Sequence, residues 1–123
     1  MKTTRTATVD MMQVPCWVVA YNTLTGKSRT ELETLARRNG WDGKTFGVTV
    51  MTLMLMYWEL TGRKPSLGAS RNVREAGVTV GRFNDPTFTG LVVCEGHVMP
   101  CVRGRITNLC GHRDFVIQFI VAM

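Results

Sequence analysis

The side chains able to do covalent or metal chemistry are few: Cys16, Cys94, Cys101, Cys110, His97 and His112. Cys16 lies in "MMQVPCWVVAYNTLTG", directly ahead of an apolar run with helical spacing. A thiol in the first turn of a helix meets unpaired N–H groups and the positive end of the helix dipole, which favour thiolate. Pro15 before it suits a helix start, because proline restricts the chain and lacks a donor where none is needed. A thiol nucleophile also needs a base to take its proton and a third group to orient that base. His97 opens the segment "HVMPCV", and Arg103-Gly104 reads as the tip of a hairpin. With that turn, Val102 faces Arg105, Cys101 faces Ile106 and Met99 faces Asn108. Strand alternation then places His97, Met99, Asn108 and Cys110 on one face, with Asn108 diagonal to His97 at roughly 7 Å between backbones. A one-residue change in the loop would undo that placement. Cys16, His97 and Asn108 are thus the candidate nucleophile, base and orienting amide.

Other uses of the same residues compete with this one. Cys94 and His97 have zinc-knuckle spacing, with Cys101, Cys110 and His112 downstream. Cys110 and His112 are too close together for a second knuckle, and Cys94 and His97 have opposite strand parity unless Glu95-Gly96 is a turn. No metal and no cofactor is expected. The loop "GWDGKT" ends like a phosphate-binding loop, but Arg38 stands where the leading glycine belongs and the segment follows a helix. Cys16 as a buried structural thiol, His97 as a core or turn histidine and Asn108 as a turn residue before Gly111 are the structural alternatives. His112 and Asp114, beside Arg113, read as solvated charges at a strand entry and are the next candidates should His97 or Asn108 fail.

The elements that must carry these residues are legible in outline. Residues 1–10 are polar and Thr-rich and read as a loose start or a short edge strand. From Cys16, the apolar residues Trp17, Ala20, Tyr21 and Leu24 recur at i, i+3, i+4 and i+7, and Gly26 ends that helix. Ser28 three before Glu31 is a capping box for a second helix that closes at Asn39-Gly40. A third, over residues 49–60, is apolar almost all round and is expected to be central, with Met51, Met54 and Met56 as core filler. "RKPSLGASRNVREAG" reads as a basic loop, "TVGRF" as a single helical turn and Asp85-Pro86 as a turn. "TFTGLVVCEG", "HVMPCVRG", "RITNLCG" and "DFVIQFIVAM" are rich in β-formers. Helices first and strands last indicate an α+β fold, with an antiparallel sheet of about four strands against which the long apolar helix packs. The helix bearing Cys16 is expected to pack across that sheet, so that the thiol meets His97 at its edge.

With its 123 residues the chain is expected to be one domain, 1–123. The N-terminus lacks a secretory pattern, and the longest apolar run covers about half of a membrane span. A soluble cytoplasmic protein with free thiols is expected, without membrane association. The net charge of +6 is scattered, with only Arg63-Lys64 and Arg71 to Arg74 forming a local group, so nucleic acid is not an expected partner.

Taken together, these residues resemble a compact papain-like cysteine peptidase domain of the kind found in phage and bacterial genomes. In that superfamily a cysteine starts the first core helix, a histidine opens a later strand, and Asn or Asp on the next strand orients it. Cys16, His97 and Asn108 match in that order. "GHVMPCVRGRITN" is similar to the family's Gly-His, apolar strand, glycine turn and polar acceptor, and Cys16-Trp17 resembles papain itself. The resemblance implies a papain-like fold and a peptidase or isopeptidase acting on a protein or peptide, in the host cytoplasm if phage-encoded. It also implies an oxyanion-hole amide, for which Gln13 is the candidate. A non-catalytic binding or inhibitory protein on the same scaffold, such as a phage factor acting on a host protein, is the alternative. The basic residues 63–74 and the "WDGKTF" loop are expected to flank the cleft and select acidic sequences.

Overall fold

A computed structural model describes residues 14–64, 70–72, 78–107 and 112–123. Its first helix, α1 (Cys16–Thr25), begins at the cysteine. Pro15 occupies the N-cap in an extended conformation, and its carbonyl accepts from the Val18 and Val19 amides at 3.0 and 3.1 Å. Gly26 closes the helix in the left-handed region, where a side chain would be strained. Helix α2 (Arg29–Arg38) carries the expected capping box: Ser28 Oγ accepts from Glu31 N, while the Glu31 carboxylate accepts from Ser28 N. Helix α3 (Val50–Thr61) is capped by Thr49, whose hydroxyl accepts from Thr52 N, and ends at Gly62.

The strands are β1 (Ser70–Asn72), β2 (Gly90–Cys94), β3 (His97–Val102), β4 (Arg105–Ile106) and β5 (Ile117–Ala122). They form one antiparallel sheet in the order β1-β5-β2-β3-β4. The fold is α+β, with three helices followed by the sheet among the described residues. All four segments read as strands are in it. Strand β1 is an addition, at the far edge and within a stretch expected to be loop. Three residues without alternating apolar character give no periodic signal; they are held by pairing with residues 119–121 of β5. Val80–Arg82 is the expected single helical turn, and Phe88 N donates to Asp85 O across the expected Asp85-Pro86 turn.

Both faces of the sheet are covered. Leu91, Val93, Val98 and Val121 meet the helices, together with Trp17, Val18, Tyr21, Leu32, Leu53 and Tyr57. Val92, Cys94, Met99, Cys101, Ile117 and Ile120 form a second core with Val80 and Phe88. A bulge between the partners of Val93 and Cys94 puts Ile117 and Ile120 on this same side despite their spacing.

The helix laid along the sheet is α1, against β3, as expected of the helix bearing Cys16, whereas the long apolar helix is not laid along it. Helix α3 packs on α2 and reaches the sheet mainly through side chains, Tyr57 Oη donating to Ala122 O at 2.5 Å. The Tyr21 hydroxyl donates to Leu53 O and ties α1 to α3. Only Thr52, Leu53, Met56 and Tyr57 of α3 are buried, while Val50, Met51 and Trp58 are exposed. The expectation of a central helix is corrected: Met56 is core, Met54 half-buried, and Met51 lies in solvent. No helix among the described residues is long and apolar enough to cross a membrane.

Candidate active site

Cys16 takes the first position of α1, where amides have no partner inside the helix. Its thiol is acted on by the backbone amides of Val98, Trp17 and Cys16 itself. Val98 comes from the β2–β3 hairpin, and the hairpin's geometry explains its role. Cys94 pairs with His97 across the two-residue turn Glu95-Gly96, whose Gly96 has a φ of 72°. That closing pair exchanges the ladder hydrogen bonds, so the next amide, Val98 N–H, points away from β2.

Burial pushes the Cys16 thiol above its ordinary range, and the three amides only partly offset this. The thiolate-favouring shift expected from the helix start is therefore outweighed. A half-buried sulfur loses more hydration as an anion than a few amide dipoles return. Cys94 and Cys101 are buried free thiols, each pushed up to about 11 by desolvation.

Cys16 and His97 line the same cleft, a space of about 220 Å³ whose walls include Trp17, Val48, Val50, Leu53 and Val98. They approach it from different layers. Cys16 comes from the helix side. His97 starts the row of β3 that continues through Met99 and Cys101, opposite Cys94, and is only half-buried at the hairpin end. Glu95-Gly96 being a turn also satisfies the parity condition for Cys94 and His97, yet no group of three His, Cys, Asp or Glu side chains suited to a metal occurs among the described residues.

The Arg103-Gly104 hairpin has the expected register, with Cys101 opposite Ile106 and Val102 opposite Arg105. Arg103 and Gly104 both have positive φ, 50° and 80°, as a two-residue turn of this hand requires. The pairing extends to Thr107, whose N–H donates to Pro100 O at 3.1 Å. Asn108 and Cys110, like Gln13, lie outside the described residues. So does most of the basic stretch expected to flank the cleft.

The loop expected as the other flank, residues 41–46, leads into the cleft wall without lining it. Gly47 and Val48 line the cleft, and the loop leading to them is held by two indoles. Trp17 Nε1 donates to Phe46 O at 3.0 Å, and Trp41 Nε1 to Thr45 O at 2.8 Å. The two rings meet edge to face with centroids 5.2 Å apart, and the Arg37 guanidinium lies over Trp41. The amides of Thr45 and Lys44 hold the Asp42 carboxyl below the usual carboxylate range. Trp17 thus couples the residue after the cysteine to the opposite wall. Sequence reading missed this role, along with the Val98 amide and the wall residues Val50 and Leu53. The adjacency of Trp17 to Cys16 was the available signal.

No family model matches the chain, and neither a curated protein nor a solved structure matches it.

Proposed function

We propose that the chain is a thiol-dependent hydrolase of the papain-like type, a cysteine peptidase or isopeptidase. The observation that carries this reading is a helix-start cysteine lining one cleft with a histidine. Cys16 attacks the substrate carbonyl, and His97 takes the thiol proton and returns it to the leaving amine. Because the resting thiol is held protonated, proton transfer accompanies attack, directly or through one water across the cleft mouth. The amides of Cys16, Trp17 and Val98 are suited to the oxyanion that forms, since donors aimed at developing charge act strongly in a dry cleft. Asn108 orients the imidazole and Gln13 adds an oxyanion donor in this proposal, on the strength of the sequence pattern.

The test is a peptide carrying a cysteine-directed electrophile, followed by mass spectrometry of the intact protein. One adduct on Cys16, absent in Cys16→Ala and much slower in His97→Ala, is the expected result. No adduct at Cys16, or equal labelling of several cysteines, would reject the mechanism. A second reading is a non-catalytic binding or inhibitory protein on this scaffold. The raised thiol and the alignment of His97 with Met99 and Cys101 favour it. It predicts sluggish labelling that His97→Ala leaves unchanged.

A further inference from the structure

Helix α3 is apolar on an outward face where a surface helix is ordinarily polar. Met51 is 73% exposed and Trp58 44%, and half-buried Leu55 lies between them at the i, i+4, i+7 spacing of a single face. Val50, 53% exposed, and Phe46, 58% exposed, stand at the N-terminal end of this stripe. Side chains of this size leave on the order of a few hundred Å² of apolar surface, a common mark of an interaction site. The stripe runs into the cleft, because Val50 belongs to both. Its other end is positive. Lys64 Nζ lies 5.7 Å from the Trp58 ring centroid and Arg63 beside it is exposed, while the nearby Glu59 carboxylate is engaged by Asn39 and Arg38.

We propose that this face docks a segment of the protein substrate presenting apolar side chains at helical spacing, followed by carboxylates. The apolar groups would lie on Met51, Leu55 and Trp58, and the carboxylates toward Arg63 and Lys64. The stripe covers two helical turns, roughly 10 Å, which matches two or three apolar anchors of a partner helix. A helix that lies on lipid carries basic residues along its polar face, whereas α3 contains none, so the occupant is a polypeptide. The proposal rests on the hydrolase reading only in making the docked chain the one whose carbonyl enters the cleft past Val50.

The experiment uses the full chain with Cys16→Ala and a fluorescein-labelled probe peptide bearing three leucines at helical spacing, then two glutamates. Fluorescence anisotropy should show saturable binding, weakened about tenfold or more by Met51→Asp and, separately, by Trp58→Ser. Two variants are used so that one that fails to fold leaves the other to decide. Serines in place of the leucines should abolish binding, and Lys64→Glu should shift preference toward a probe ending in lysines. Absence of saturation up to about 1 mM overturns the proposal. So does a dimer that Met51→Asp dissociates, or binding to anionic vesicles in preference to the probe. Since this readout needs no turnover, an unreactive Cys16 would reject the hydrolase reading while leaving the docking result to stand or fall alone.

Discussion

Cys16 combines two opposed influences, and their balance sets how it should behave. The amides at the start of α1 and on Val98 favour thiolate, but burial disfavours it more. Iodoacetamide should therefore label Cys16 slowly at mildly acid and neutral pH, with the rate climbing only in the alkaline range. Among Cys16, Cys94 and Cys101 it should still react first, since the other two are almost wholly buried and desolvation pushes them up to about 11. Peptide mapping of the alkylated protein against pH checks the order; rapid labelling of Cys16 at about pH 6 would contradict a protonated resting thiol. Asn108 makes a separate residue-scale prediction under the proposed mechanism. Asn108→Ala should fold and lose part of the activity, and Asn108→Asp should retain it, because a carboxylate accepts the same imidazole hydrogen bond. If Asn108→Ala unfolds, as circular dichroism would show, Asn108 is a turn residue.

At the level of elements, glycines divide by what a Cβ would meet. At Gly90 it would lie 2.0 Å from Val121 O, inside the β2–β5 pairing, so Gly90→Ala should prevent stable folding. At Gly104 it would lie 2.6 Å from Asp85 O, on a residue with φ of 80°, so Gly104→Ala should open the β3–β4 hairpin and cost on the order of 2 kcal/mol or more. Gly47 faces open space on the cleft wall, so Gly47→Ala should leave stability unchanged. Urea midpoints for the three variants test this ranking. Helix α2 offers a milder case. Ser28→Ala removes the acceptor for Glu31 N and should cost about 1 kcal/mol.

For the whole molecule, the buried thiols link stability to pH. Cys94 and Cys101 have folded pKa values raised to about 11, so the fold favours their protonated forms. The associated stability is fully present below the unfolded thiol value near 9 and is lost as pH rises toward about 11. Denaturation midpoints should fall across that window, and Cys94→Ala with Cys101→Ala should flatten the fall at some cost in packing. A flat profile in the parent protein would contradict it. The same burial explains how the two cores, one on each face of the sheet, hold the hairpin that presents His97 and Val98 to the cleft.

What the sequence determined by itself was local: where helices start and stop, and how a hairpin turns. Pro15 and Gly26, Ser28 with Glu31, Thr49 and Gly62 act through their own backbone and nearest hydrogen bonds, so their effects can be read within a few residues. The register at Arg103-Gly104 was legible for the same reason, as was a helix beginning at Cys16 and a strand opening at His97. Which apolar surface becomes covered is a different kind of quantity. It depends on partners far along the chain: α1 lies on the sheet as expected, the all-apolar α3 does not lie along it, and the exposure of Met51 and Trp58 gave no local warning. Strand β1 exists through its partner β5 rather than through its own pattern. The direction of the thiol's shift was likewise a tertiary outcome, because desolvation sums over everything packed around Cys16, whereas the helix dipole is written in its first turn.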